Sequence, residues 1–133
     1  MESEGGGMTN IEHTYPLTVT PYLFVGKKPT AVLFGDERIE VKSWREVYTR
    51  ILKRCNDNPE NHERLMYLRN KTAGKVRGFL SDNPDGMTRP HRIDEDMYGE
   101  THYGTQTLIH ILCKRILDPA RFNYSHIRIV LKA

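Results

Sequence analysis

Gly35-Asp36, set between Ala31-Val32-Leu33-Phe34 and Arg38-Ile39-Glu40-Val41, constrains this chain more than any other feature. Two β-prone runs joined by so short a glycine-led connection turn back on each other, and glycine at the first central position suits a type II′ turn. Ile39 and Val41 alternate with Arg38, Glu40 and Lys42, so this strand is expected to keep one face wet. Ser43 and Glu46 follow as Ser-x-x-Glu, a spacing that satisfies two free N–H groups at a helix start. Trp44, Val47, Tyr48, Ile51, Leu52 and Cys55 then recur at helical spacing opposite Arg45, Arg50, Lys53 and Arg54. The pattern predicts a hairpin and an amphipathic helix packed on it.

Asn58-Pro59 restarts a helix, with asparagine as cap and proline at the first helical position, and Leu65, Met66 and Leu68 give it an apolar side that fades near Asn70. Short strands are expected at residues 76–80 and around Met97 and Tyr98, separated by a loop carrying Asn83-Pro84-Asp85-Gly86. Thr105 is the expected cap of a third helix. Its Leu108, Ile109, Ile111, Leu112, Cys113, Ile116 and Leu117 leave few polar positions, the signature of burial on more than one side, and Asp118-Pro119 stops it. Finally Ile127, Ile129 and Leu131 alternate with His126, Arg128 and Lys132 in a closing strand.

These elements predict a single α+β domain: a β-hairpin, two helices, short strands, one buried helix and a C-terminal strand in a small mixed or antiparallel sheet. Residues 1–7, Met-Glu-Ser-Glu-Gly-Gly-Gly, read as a flexible leader before an expected native start at Met8. Residues 8–29 read as an extended arm or edge strand, because Pro16 and Pro21 bracket Leu17 to Thr20 and proline cannot donate to a ladder. Tyr22 to Val25, a second apolar run, is expected to bury. Residues 30–133 form the compact domain.

The sequence excludes several classes. No run approaches the about 18 apolar residues of a membrane span, so no membrane association is expected. Cys55 and Cys113 cannot make a disulfide scaffold and suit a reduced, cytoplasmic setting. His110 and Cys113 share a helix face, but a structural zinc site wants four ligands and no second pair exists, so neither metal nor cofactor is expected. Burial on the apolar helix makes Cys113 inert, and Cys55 ends its helix where the dipole disfavours a thiolate. Nucleophile elbow, phosphate-cradling loop and dinucleotide fingerprint are all missing.

Two polar features remain. Arg89 to Tyr103 carries Arg89, His91, Arg92, Glu100, His102 and Tyr103, the residue types of metal-independent ribonucleases. Glu100, His102 and Arg89 are the acid-base and phosphate-clamp candidates, set against a solvated loop that explains the same residues without catalysis. Between Arg64 and Arg92, seven basic residues, Arg64, Arg69, Lys71, Lys75, Arg77, Arg89 and Arg92, face only Asp82 and Asp85. Such a surface permits phosphate contacts with DNA or RNA; the alternative is a solvated face partly neutralised by Asp94, Glu95 and Asp96. The net charge of +3 understates this, since the leader holds Glu2 and Glu4 and no base.

The stretch Ile39 to Val47, Tyr98-Gly99-Glu100-Thr101, the apolar helix and Ile127 to Leu131 resemble a small domain of uncharacterised bacterial proteins, found alone or appended to restriction-like and mobile-element proteins. The resemblance spans about Ala31 to Lys132. It departs at His102-Tyr103-Gly104, where a small polar or Ser-Ala step is expected. It implies a role near genome conflict, in defence, its inhibition or mobile-element biology, with binding rather than catalysis and no catalytic residues to carry over. The expected function is a nucleic-acid-binding or sensing accessory module. The alternatives are a protein-interaction component, an inhibitor or adaptor that pairs or self-associates through an edge strand in the proline-bracketed arm or the terminal strand, and a small nuclease.

Overall fold

A computed structural model describes residues 12–69 and 79–132. The fold is α+β, with two antiparallel sheets and three α-helices among these residues. The chain forms two compact units, one from residues up to Val47 together with those from Tyr124 onward, the other from Tyr48 to Asn123.

The first unit holds β1 (Glu12–Pro16), β2 (Lys28–Phe34), β3 (Glu37–Glu40) and β7 (Ile127–Lys132), in the order β1-β7-β2-β3. Phe34 pairs with Glu37, so the hairpin turns on Gly35-Asp36, and Gly35 takes a φ of 64° as a primed turn demands. Val41 is buried and Ile39 half-buried, whereas Arg38, Glu40 and Lys42 face solvent, the alternation expected. Ile127, Ile129, Val130 and Leu131 are buried in β7. The terminal strand is not an edge: it lies between β1 and β2 and pairs with both, so its ladder has no free side. Among the described residues the edges are β1 and β3.

The arm also differs from its expected form. The edge strand lies upstream of the proline bracket, at Glu12–Pro16, and the bracketed residues turn, with the Val19 N–H donating to the Pro16 carbonyl at 3.2 Å. Pro21–Phe24 is a 3₁₀ helix. In that short helix only Phe24 turns inward, its ring 5.1 Å from that of Trp44, while Tyr22, Leu23 and the following Val25 stay exposed. A turn three residues long has one inner position, so four consecutive apolar residues cannot all bury.

α1 (Trp44–Asp57) begins where the Ser-x-x-Glu spacing places it. The Ser43 hydroxyl accepts from the Glu46 N–H at 3.2 Å, and the Glu46 carboxylate accepts from the N–H of Lys42, one residue ahead of the expected partner. Val47, Tyr48, Ile51, Leu52 and Cys55 are fully buried.

In the second unit α2 (Pro59–Leu68) starts on Asn58, whose side-chain oxygen accepts from the N–H groups of Glu60 and Asn61 at 3.0 and 3.4 Å. The short strands are β4 (Leu80–Ser81), β5 (Pro90–Asp94) and β6 (Met97–Glu100), in the order β4-β6-β5. Residues 76–78 of the expected strand lie outside the described residues. The stretch expected as one strand around Met97 and Tyr98 is the second arm of a hairpin that turns on Glu95-Asp96, since Asp94 pairs with Met97. α3 (Thr105–His110) is capped by Gly104 rather than Thr105: Gly104 is extended and its carbonyl takes the first helical bond, from the Leu108 N–H at 2.8 Å. The helix continues as a π-helix over Ile111–Leu117, and every apolar residue named for it is buried.

Candidate nucleic-acid interface

Glu100 organises the polar region. Its side chain is fully buried. One carboxylate oxygen accepts from the Thr88 N–H at 2.7 Å, the other from the N–H groups of Arg89 at 2.8 Å and His102 at 3.0 Å. Its own N–H donates to the Phe79 carbonyl at 3.0 Å. A buried carboxylate needs such donors, and backbone N–H groups supply three of them. The structure therefore does bring Glu100, Arg89 and His102 together, but through the two backbones. Glu100 is an internal anchor, and the Arg89 and His102 side chains are exposed.

Around this anchor stands a cluster of rings and cations. The Arg115 guanidinium lies 5.2 Å above the centre of the Phe79 ring, a cation–π distance, and Phe79 meets Tyr103 edge-on at 6.4 Å. Arg115 is exposed, and Phe79 and Tyr103 are half-buried. Sequence reading missed Arg115 and Phe79. Arg115 sits on the narrow polar side of an otherwise apolar helix, and Phe79 lies within the basic segment, two residues after Arg77; that adjacency was the available signal.

The other basic residues divide. Arg69 donates to the Asp96 carbonyl at 2.7 Å and its guanidinium lies 3.5 Å from the Asp96 carboxylate. Arg92 donates to the Asp94 and Glu95 carbonyls at 3.2 and 3.5 Å. Both are drawn to the acidic turn of the β5–β6 hairpin, the neutralisation weighed from the sequence. Arg64 lines a cavity beside α2. Lys71, Lys75 and Arg77 lie outside the described residues.

The same acidic turn engages two helices. The Asn56 side-chain Nδ2 donates to the Asp94 carboxylate at 2.8 Å, the Asn56 side-chain Oδ1 lies 2.7 Å from His62 Nδ1, and that nitrogen is 3.9 Å from Asp94. The Asn56 hydrogen bond, then the Glu95 N–H, hold the Asp94 carboxyl below its ordinary range.

Both cysteines are buried thiols, and burial pushes Cys55 up to about 12, so it is neutral and unreactive at physiological pH. Among the described residues no three of His, Cys, Asp and Glu gather closely enough to hold a metal ion, and no helix is long and apolar enough to cross a membrane. No protein-family model, curated protein or solved structure matches the chain.

Proposed function

We propose that the protein is a nucleic-acid-binding accessory module that takes single-stranded segments on the surface around Glu100. The observation that carries the reading is the cluster of Arg115, Phe79 and Tyr103, with the exposed Arg89 and His102 held through their backbone N–H groups by the buried carboxylate of Glu100, a residue whose own N–H donates to the Phe79 carbonyl. Rings accept unstacked bases without regard to sequence and exposed arginines take the phosphates, a combination that suits a single strand better than a duplex. The segment carrying Lys71, Lys75 and Arg77 runs into Phe79 and adds charge in the chain next to the cluster. The setting belongs to the same proposal: bacterial defence, phage or mobile-element biology, as the resemblance implies.

Binding of labelled single-stranded RNA, single-stranded DNA and duplex DNA, measured at two salt concentrations, tests the reading. Single strands bind more tightly than duplex, and affinity falls steeply with salt. Arg89→Glu and Arg115→Glu each weaken binding across sequences and lower the salt slope by about one. No binding at low salt would sink the proposal.

A second reading has its own observation in the first unit. Tyr22, Leu23 and Val25 are exposed at 66%, 42% and 45% in the segment that follows β1, an apolar surface next to a strand that is an edge among the described residues, suited to a protein partner or a second copy. Light scattering of the wild type and of a Tyr22→Ser, Leu23→Ser, Val25→Ser variant decides it: a concentration-dependent dimer lost in the variant supports self-association. A strict monomer leaves only a heterologous partner, to be sought by pull-down with the same variant as control.

A further inference from the structure

A cavity of about 440 Å³ opens beside the C-terminal end of α2, lined by Glu63, Arg64, Tyr67, Leu68, Pro119 and Arg121. Its size falls within the range of small-ligand pockets. Its chemistry is mixed in a particular way. Tyr67 is a large ring left 74% exposed, Leu68 and Pro119 are apolar, Arg64 and Arg121 are cations, and Glu63 is a carboxylate suited to a base amino group. Neither arginine is held in a salt bridge among the described residues.

Arg121 is also the one non-glycine residue with positive φ among those described, at 58°. It follows the π-helix where the chain closes on itself, with its own N–H donating to Asp118 and the Phe122 N–H donating to Leu117, both at 3.0 Å. Glycine ordinarily fills such a left-handed position, because a side chain there crowds the backbone. Arginine at that cost, aimed at a cavity with a second arginine and an exposed ring, points to a role for its charge.

We infer that this cavity binds a nucleoside 5′-monophosphate group, the base stacked on Tyr67 and the phosphate held between Arg64 and Arg121. A phosphate of nearly two negative charges matches two guanidiniums, and a base matches a sequence-tolerant aromatic face. The group can come from a free mononucleotide or from the phosphorylated end of a strand. The inference goes beyond the strand-binding proposal and rests on different residues, so each can fail alone.

The test titrates the isotopically labelled full chain with AMP, adenosine and inorganic phosphate, following backbone amide shifts, and repeats the AMP titration on Tyr67→Ala and Arg121→Gly. AMP is expected to shift Tyr67, Leu68 and Arg121, with adenosine and phosphate each at least about tenfold weaker. Both variants lose about tenfold in affinity or more. Arg121→Gly does so without lowering Tm, because relief of the left-handed strain offsets the added freedom of the unfolded chain, whereas a merely structural arginine would take Tm down with it. Competition against AMP by a 5′-phosphorylated but not a 5′-hydroxyl oligonucleotide assigns the strand end as source; AMP binding without such competition assigns the free nucleotide. The inference is overturned if AMP at millimolar concentration leaves these amides unmoved, or if phosphate alone acts as strongly and Tyr67→Ala changes nothing.

Discussion

The Tyr48 phenol fills the space that a side chain at Gly99 would need. A methyl group at position 99 would run into the Tyr48 hydroxyl and lie 3.0 Å from its Cε1, so β6 crosses α1 only because residue 99 has no Cβ. The hydroxyl is fully buried and has no hydrogen-bond partner, and burial, with the neighbouring Tyr103 and Glu100 adding to it, raises the phenol's pKa.

Gly99→Ala is therefore expected to destabilise by about 1–3 kcal/mol, the usual cost of overpacking. Tyr48→Phe removes the unpaired hydroxyl and should be neutral or stabilising. In that background the cost of Gly99→Ala shrinks without vanishing, since ring carbons at 3.0 and 3.1 Å remain. Urea denaturation of the four proteins measures the coupling. Simple additivity would contradict the contact.

Glu100→Ala should strand three backbone N–H groups and cost about 1–3 kcal/mol or more. Hydrogen exchange at Thr88, Arg89 and His102 should accelerate well beyond the change at amides remote from the site. If Arg89 is positioned by this anchor, strand binding falls in the same variant. An unchanged exchange pattern at all three amides would remove Glu100 from that role.

Asp94 sets a pH dependence at the acid end. Its folded-state pKa lies below the unfolded value, so its contribution to stability is present above about pH 4 and is lost as pH falls through the folded value. Asn56→Ala removes the largest cause and should move the Asp94 titration, followed by carboxyl ¹³C shifts, back toward the ordinary value. Because Asp94 is 44% exposed, the accompanying stability change should be small.

At the alkaline end the sign is the reverse. Cys55 is held neutral to about 12, so its contribution is intact below the unfolded thiol pKa of about 8.5 and declines as pH rises toward the folded value. Denaturation midpoints should therefore fall between pH 8 and pH 11, and Cys55→Ala should flatten that fall while lowering stability overall. In native protein at pH 7.5 neither thiol should react readily with a chromogenic disulfide reagent, and both should react in denaturant.

The elements themselves are legible in the order of residues. Gly35-Asp36, Ser43-x-x-Glu46, Asn58-Pro59 and Asp118-Pro119 act within a few residues of where they stand, so their turns, caps and stops follow from local geometry alone. The apolar faces of α1 and of the Thr105–Leu117 helix follow equally well, because burial of an amphipathic face depends on residue period and not on which partner covers it.

Tertiary structure decided what depends on residues far apart in the chain. β7 is interior because Phe34 pairs with Ile127 and Tyr15 with Ile129, a register that alternation within β7 cannot specify. Arg69 and Arg92 meet the acidic turn, while Arg89 stays exposed with its backbone N–H on Glu100, although all three look alike as basic residues in one segment. Glu100 looks like a candidate base by residue type, and its burial against three N–H groups makes it an anchor. Composition and spacing thus determined the α+β elements of this chain. Which charges remain available to a ligand was settled by packing, because a charge is consumed or left open by partners that only the folded chain brings within reach.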